Sequence, residues 1–180
     1  ASTDLELFFH KYKDNEHEEE PMRQFATSLG FRFSAAWAYL MPVEKMLSIQ
    51  TPNKPLVTLT KEDYDLVDRL ALEPKASLEI TKKHKVNNCN LFDFLTIDIN
   101  ANLFICCASS GSPTNIIGNY LELSMEQIRE RQAKHSLCGP CMKAGLPILY
   151  GHADEEFDVL GNSHRDLYKK QITALQPNKV

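Results

Sequence analysis

The side chains best suited to chemistry in this chain are five cysteines, all of which lie from residue 89 onward. Cys138 and Cys141 form a C-x2-C turn, a spacing that lets two thiolates converge on one metal while backbone amides point at the sulfurs. The remaining three are Cys89, Cys106 and Cys107. Four thiolates from three segments can fill either a tetrahedral zinc site or the four irons of a [4Fe–4S] cluster, and the spacing alone leaves both open.

A predicted β-hairpin explains how cysteines distant in sequence could meet. Residues 94–99 and 103–107 are expected to form two short strands, joined by a turn at residues 100–102. Because a hairpin brings its two ends together, Cys89 before the first strand and Cys106 at the end of the second become neighbours.

Neighbouring cysteines on one strand cannot both serve the same site. The side chains of Cys106 and Cys107 face opposite sides of the predicted strand, so only one of them is expected to bind the metal. In an alternative interpretation, the C-x2-C is a redox pair and the other cysteines are small buried hydrophobic residues. His135 lies close enough to Cys138 to be a substitute ligand, although a surface role is favoured.

The first part of the chain has the pattern of a strand–helix–strand unit. A buried strand is expected over residues 5–9, a helix over 17–29, and a second strand over 31–36. Gly30 provides the stop at the end of the helix. Such a unit of about thirty residues is typical of parallel α/β architecture.

Other elements are expected between and after these segments. A short helix follows Pro42, and a second one begins near the N-cap Thr60 and is ended by Pro74. We place a domain boundary between about residues 71 and 86. Ser124 is the expected N-cap of another helix, and the tail shows weak helical periodicity over residues 167–175.

Charge and apolar patterning exclude several functional classes. The net charge is -4 and no long basic run is present, which argues against nucleic-acid binding. The chain opens without a secretory signal, and the longest apolar stretch, residues 33–43, is too short to cross a bilayer. We therefore expect a cytoplasmic protein with no membrane contact, where clustered cysteines are ligands rather than disulfides. The missing initiator Met leads us to expect an excised piece.

The cysteine segments resemble the SPASM/Twitch auxiliary-cluster domain of radical S-adenosylmethionine (SAM) enzymes. Along its sequence, that family has a first cysteine, a hairpin with a G-x4-C motif, a short motif of the type iGN, and then a C-x2-C motif. Here the resemblance runs from Cys89 to about Gly145, with Ile117-Gly118-Asn119 as the third motif. Cys106 falls on the cysteine of G-x4-C, while Ala101 stands where the family usually has glycine.

The resemblance implies a ligand set. In it, Cys89, Cys106, Cys138 and Cys141 hold one auxiliary [4Fe–4S] cluster, as in the shorter Twitch type. Cys107 is then left against the core or as an alternate ligand. The implied role of the cluster is substrate binding or electron relay.

The first part of the chain is similar to the last strand–helix units of a radical SAM barrel. The similar segments are residues 8–18 and 28–33. The loop after each barrel strand lies at the catalytic face, so the resemblance implies that His10, Lys13 and Asn15 lie near SAM or substrate. The alternative is that they are loop residues that cap the following helix.

The predicted fold is therefore α/β: the last βα units of a partial (β/α) barrel, followed by a small β-hairpin plus helix subdomain with a cysteine-ligated cluster. The expected domains are residues 1–75 for the barrel part, 86–150 for the cluster domain and 151–180 for a partly helical tail.

A departure from the family limits the predicted chemistry. The chain lacks the C-x3-C-x2-C motif that holds the catalytic cluster, and it lacks the early barrel strands. We expect SAM to bind only with a missing N-terminal segment or a partner chain, and the substrate to be a peptide or a small molecule. The two other hypotheses are a zinc-stabilised interaction module without redox chemistry and an electron-transfer partner without a substrate.

Overall fold

A computed structural model describes residues 4–175 of the chain, with side chains described up to residue 171. The chain forms two compact units, each built from separate stretches of sequence. The first unit contains residues up to Tyr39, residues 61–73, and the residues from Glu155 on. The second unit contains residues 40–60 and 74–154. Both helices and strands are present, so the coarse α/β prediction is confirmed.

The first unit contains the predicted strand–helix–strand motif. Strand β1 (Glu6–Lys11) and strand β2 (Arg32–Trp37) are parallel neighbours, and helix α1 (Glu19–Ser28) connects them. The register pairs the first residues of the two strands with each other, and likewise the last residues. The motif is confirmed, but β1 runs two residues beyond the predicted end at Phe9, because its pairing with β2 continues to Lys11 and Trp37.

Two further helices of this unit differ in length from the predictions. Helix α3 (Lys61–Arg69) is shorter than expected at its C-terminal end. Helix α8 (Glu156–Leu175) is much longer than the predicted 167–175, and its first turn contains the buried Phe157. The sequence analysis did not predict the first half of α8, because Gly161 interrupts the apolar periodicity there.

The helices of the first unit cover one face of its two-stranded sheet. On that face the rings of Phe9 and Phe33 stack with their centroids 6.4 Å apart. Arg23 of α1 lies over Phe33 at 4.4 Å. Gly161 of α8 lies so close to Trp37 that a Cβ there would be 2.4 Å from the indole nitrogen.

The opposite face of this sheet is exposed. Glu6 accepts a hydrogen bond from the Ser34 hydroxyl and lies 3.8 Å from the Arg32 guanidinium. Phe8 is 48% exposed, with its ring centroid 5.0 Å from that of the exposed His10. An apolar ring exposed at the centre of a parallel strand is unusual, because parallel sheets are generally covered on both faces.

The second unit combines five helices with a small sheet. The helices, some of them only one or two turns long, are α2 (Val43–Gln50), α4 (Pro74–Thr81), α5 (Met125–Lys134), α6 (Cys138–Lys143) and α7 (Leu146–Tyr150). The helix that Pro74 was expected to end stops at Arg69, and Pro74 itself begins α4, which the sequence analysis did not predict. Proline suits the first turn of a helix, where its missing N–H has no partner to lose.

The sheet of the second unit has three antiparallel strands in chain order. They are β3 (Thr96–Ile97), β4 (Asn102–Phe104) and β5 (Ile116–Asn119). The predicted hairpin is confirmed, although both strands are shorter than expected. Strand β5 was not predicted as a strand.

The Ser124 cap of α5 is confirmed. Its hydroxyl accepts from the Gln127 N–H at 3.2 Å, and the Gln127 side chain accepts from the Ser124 N–H at 2.9 Å. Behind α5 and β4 lies a core that includes the fully buried Ile128, Leu103 and Leu146. In the part of the chain that the structure describes, every helix is too short or too polar to cross a membrane.

Candidate metal centre

The turn of the hairpin positions the segment that ends at Cys106. The Asp98 carboxylate accepts hydrogen bonds from the backbone N–H of Asn100 at 2.8 Å and of Asn102 at 2.9 Å. These bonds, the largest from the Asn102 side chain, lower the pKa of Asp98. Ala101 completes the turn with a φ of 61°, a left-handed conformation that favours glycine.

Four of the five cysteines line a single cavity in the second unit. Cys89 lies just before a 3-10 turn over Asn90–Asp93, and Cys106 lies just after β4. Cys138 and Cys141 are three residues apart on α6, which places them on one face of that helix. Apolar side chains complete the lining, namely Leu91, Phe92, Ile105, Leu137 and Met142. The cavity contains ≈ 310 Å³ of space free of atoms, part of it open to solvent.

All five cysteines are free thiols, but their exposure differs. Cys106 and Cys138 are buried, while Cys89 and Cys141 are half-buried. Cys107 is exposed and is not part of the cavity lining. The prediction that one member of the Cys106–Cys107 pair faces the site therefore agrees with the geometry, whereas a place for Cys107 against the core is wrong.

Backbone amides point at two of the sulfurs. The N–H groups of Leu91 and Phe92 face the Cys89 sulfur, and that of Ala108 faces the Cys106 sulfur. Burial raises the pKa of both thiols, and these hydrogen bonds oppose that increase. Donors of this kind disperse negative charge on a thiolate and are characteristic of metal-bound sulfurs.

The two thiols of α6 are the hardest to ionise in the metal-free protein. Burial, followed by the nearby Cys106 and Cys89, raises the pKa of Cys138 to about 11. Burial and the same neighbours raise the pKa of Cys141 further. Since burial raises the pKa of all four thiols, they are protonated at neutral pH, and a bound metal has to displace their protons.

The buried Gln132 connects two of the cysteine segments, one through its side chain and the other through its backbone. Gln132 of α5 is fully buried, and its Nε2 donates to the Ile105 carbonyl at 2.9 Å. The backbone carbonyl of Gln132 accepts from the Cys138 Sγ at 3.3 Å. Sequence analysis missed this residue; the available signal was its place four residues after the buried Ile128 on one helix face.

A series of buried hydrogen bonds connects α2 to Cys106. The Asn115 Nδ2 donates to the Glu44 carboxylate and, at 3.0 Å, to the Ser109 carbonyl. The Ser109 hydroxyl in turn donates to the Cys106 carbonyl at 2.9 Å. The other oxygen of Glu44, Oε2, is buried without a hydrogen-bond partner. These residues were also missed, because single polar residues in loops carry no periodic signal.

Four cysteine thiols are a donor set that either a zinc ion or an iron–sulfur cluster can use. Among the residues that the structure describes, no group of three or more His, Cys, Asp or Glu side chains is arranged so that it could hold a metal ion. A tetrahedral zinc with bonds of about 2.3 Å would need all four sulfurs within about 4 Å of one another. In a [4Fe–4S] cluster each thiolate binds a different iron, so the sulfurs are farther apart.

Comparisons with protein families, with curated proteins and with solved structures gave no match.

His135 lies away from the cysteine cavity. It is half-buried, and its Nδ1 accepts from the Leu137 N–H at 3.3 Å. Its ring lines a separate, open groove together with Arg131 and Lys134. In the described geometry it is not among the residues that could replace a cysteine ligand.

The residues predicted for the SAM or substrate face lie at the end of β1 in the first unit. The Asn15 Nδ2 donates to the His10 carbonyl at 3.0 Å, and its Oδ1 accepts from the Tyr12 N–H at 2.7 Å. Lys13 donates to the Asp68 carbonyl at 2.9 Å. Asn15 thus bonds to neighbouring residues of its own loop, and Lys13 bonds to α3. The His10 side chain lies on the exposed face of the sheet.

Proposed function

We propose that the second unit binds one [4Fe–4S] cluster through Cys89, Cys106, Cys138 and Cys141. The observation that carries this proposal is the meeting of four free thiols, from three separate segments, around one apolar cavity. The fifth cysteine, Cys107, is exposed and lies outside the cavity lining.

Two features favour a cluster over a single zinc ion. Backbone amides and the Ser109 hydroxyl are placed to donate hydrogen bonds to the sulfurs of Cys89 and Cys106. Such bonds would stabilise the negative charge of a thiolate-bound cluster. The apolar lining limits water around the site, which tunes the reduction potential.

We further propose that this is an auxiliary cluster of a radical SAM protein. The order of the motifs supports this: first cysteine, hairpin cysteine, the Ile117-Gly118-Asn119 strand and C-x2-C. The left-handed conformation of Ala101 supports it too, because this is the position where the family usually has glycine. When bound through all four thiolates, the cluster would serve as a station for electron relay; an iron would be open for substrate binding only if one of the four thiolates left it.

The first unit fits the same proposal as the last βα part of a barrel. Its helices cover one face of the β1–β2 sheet. In a (β/α) barrel the helices cover the outer face of the strands in the same way. The exposed face with Glu6, His10 and Arg32 would then line the interior. Reductive cleavage of SAM needs the C-x3-C-x2-C cluster, so a further segment or a partner chain would supply it, and the substrate would be a peptide or a small molecule.

Anaerobic reconstitution with iron and sulfide tests the proposed cluster. We expect about four irons and four sulfides per chain and a broad visible band, both largely lost in Cys138→Ala. Cys107→Ala is the matched control, since this cysteine is next to a ligand but outside the cavity, and it should load like the wild type. One tightly bound zinc, no colour, and equal behaviour of the two variants would contradict the proposal.

A further inference from the structure

We propose that the Ser109 hydroxyl donates a hydrogen bond to the cluster-bound sulfur of Cys106 and thereby raises the reduction potential of the cluster. This inference rests on the proposed cluster and assigns Ser109 as a positioning residue, because it would act on the metal through Cys106.

The geometry brings the hydroxyl next to three atoms of Cys106. Ser109 is fully buried in the turn that follows Cys106. Its Oγ lies 2.9 Å from the Cys106 carbonyl, to which it donates, and 3.4 Å from the Cys106 N–H, from which it accepts. The same Oγ lies 3.7 Å from the Cys106 Sγ, which donates to it as a thiol.

Metal binding would reverse the direction of the last contact. A thiol carries a proton and donates, whereas a metal-bound thiolate has no proton and accepts. The Ser109 hydroxyl has one proton and rotates freely about its C–O bond, so it can turn from the carbonyl toward the sulfur without any movement of heavy atoms. The donor is therefore already in place before the cluster binds.

Buried neighbours keep this hydroxyl in position. Asn115 donates to the Ser109 carbonyl at 3.0 Å and to Glu44, which fixes the turn against α2. Ser109, Asn115 and Glu44 are all buried, so water does not compete for the hydroxyl. A hydrogen bond in such surroundings has a larger electrostatic effect than one at the surface.

The expected consequence is a higher potential. Reduction adds negative charge to the cluster, and a donor to a ligating sulfur stabilises that charge. Removing the donor should make the protein harder to reduce by one electron, while iron binding by the four thiolates remains.

Ser109→Ala tests this, with Ser110→Ala as the matched control. Ser110 makes the same kind of bond, to the Cys107 carbonyl at 3.0 Å, but neither its hydroxyl nor Cys107 faces the cavity. Both variants and the wild type are reconstituted anaerobically, and their midpoint potentials are measured by dithionite titration followed in the visible spectrum. We expect about a tenfold lower equilibrium constant for reduction in Ser109→Ala, which is about 59 mV for one electron, and no change in Ser110→Ala. Ser109→Gly, which also removes the hydroxyl, replaces Ser109→Ala if that variant fails to fold.

The outcomes separate this inference from the proposed function. Equal potentials in the wild type and in the folded, coloured Ser109 variant would overturn the role of the hydroxyl and leave the cluster standing. A colourless wild type would overturn the cluster, and the inference with it.

Discussion

At the residue scale, the thiols of the cavity are harder to ionise than ordinary thiols, chiefly because they are buried, and this couples protein stability to pH in the absence of metal. Cys138 is an example, because it is buried and lies near the thiols of Cys106 and Cys89. An unfolded chain has neither effect, so its thiols ionise near their ordinary pKa of 9. Above that pH, ionisation of the thiols therefore favours the unfolded chain.

We expect metal-free protein to lose stability between about pH 9 and 11. The folded pKa of Cys138 is about 11, so its contribution is fully present below pH 9 and is lost as the pH rises to the folded value. Two pKa units correspond to about 3 kcal/mol. Urea unfolding in the presence of reductant, repeated across this range, measures the loss. Cys138→Ala should lose correspondingly less, and parallel pH profiles for the two proteins would contradict the assignment.

Ala101 is a second residue whose conformation has a measurable cost. Its φ of 61° is unfavourable for a residue with a Cβ, and glycine adopts it freely. We expect Ala101→Gly to increase the free energy of unfolding by about 0.5–1 kcal/mol, the strain relieved less the added freedom of the unfolded chain. Ala133→Gly, an exposed substitution within α5, should instead decrease it by about 1 kcal/mol. A loss of stability in both variants would show that the turn is not strained by alanine.

At the scale of elements, the cysteines depend on how β5 and α5 pack together. The Arg131 Nη1 donates to the Ile117 carbonyl at 2.6 Å, and Gln132 on the same helix donates to Ile105. The contact is close because Gly118 has no side chain. A Cβ at this position would lie 2.6 Å from Leu123 Cδ1 and 2.8 Å from Arg131 Nη1.

We therefore expect Gly118→Ala to be strongly destabilising. Overpacking of this kind typically costs about 1–3 kcal/mol, and the φ of 150° adds strain. Gly111→Ala is the control, since its φ is also positive, at 91°, but a Cβ there meets no atom within 4 Å. Thermal unfolding of both variants separates close packing from backbone strain. Equal losses in melting temperature would contradict the close approach of β5 and α5.

At the scale of the whole molecule, local patterns predicted local structure well. The strand–helix–strand motif, the Ser124 cap and the hairpin follow from periodicity, capping chemistry and turn residues, and all three are confirmed. The convergence of four cysteines also followed from the ends of the hairpin and the C-x2-C spacing.

What the sequence could not predict depends on distant contacts. Strand β5 is four residues long and contains Gly118, so it has no strand pattern of its own and forms by pairing with β4. The two units are each assembled from separate segments, whereas the sequence analysis divided the chain into consecutive domains. The buried Glu44 and Asn115 meet across 71 residues, a separation that no local window covers.

The central claim concerns the metal itself, and Mössbauer spectroscopy of protein reconstituted anaerobically with ⁵⁷Fe and sulfide tests it most directly. The account predicts one diamagnetic [4Fe–4S]²⁺ cluster per chain, which becomes paramagnetic after reduction by one electron and is lost in Cys138→Ala but kept in Cys107→Ala. Isolated tetrahedral iron on four thiolates, or iron that is not bound by the protein, would contradict it.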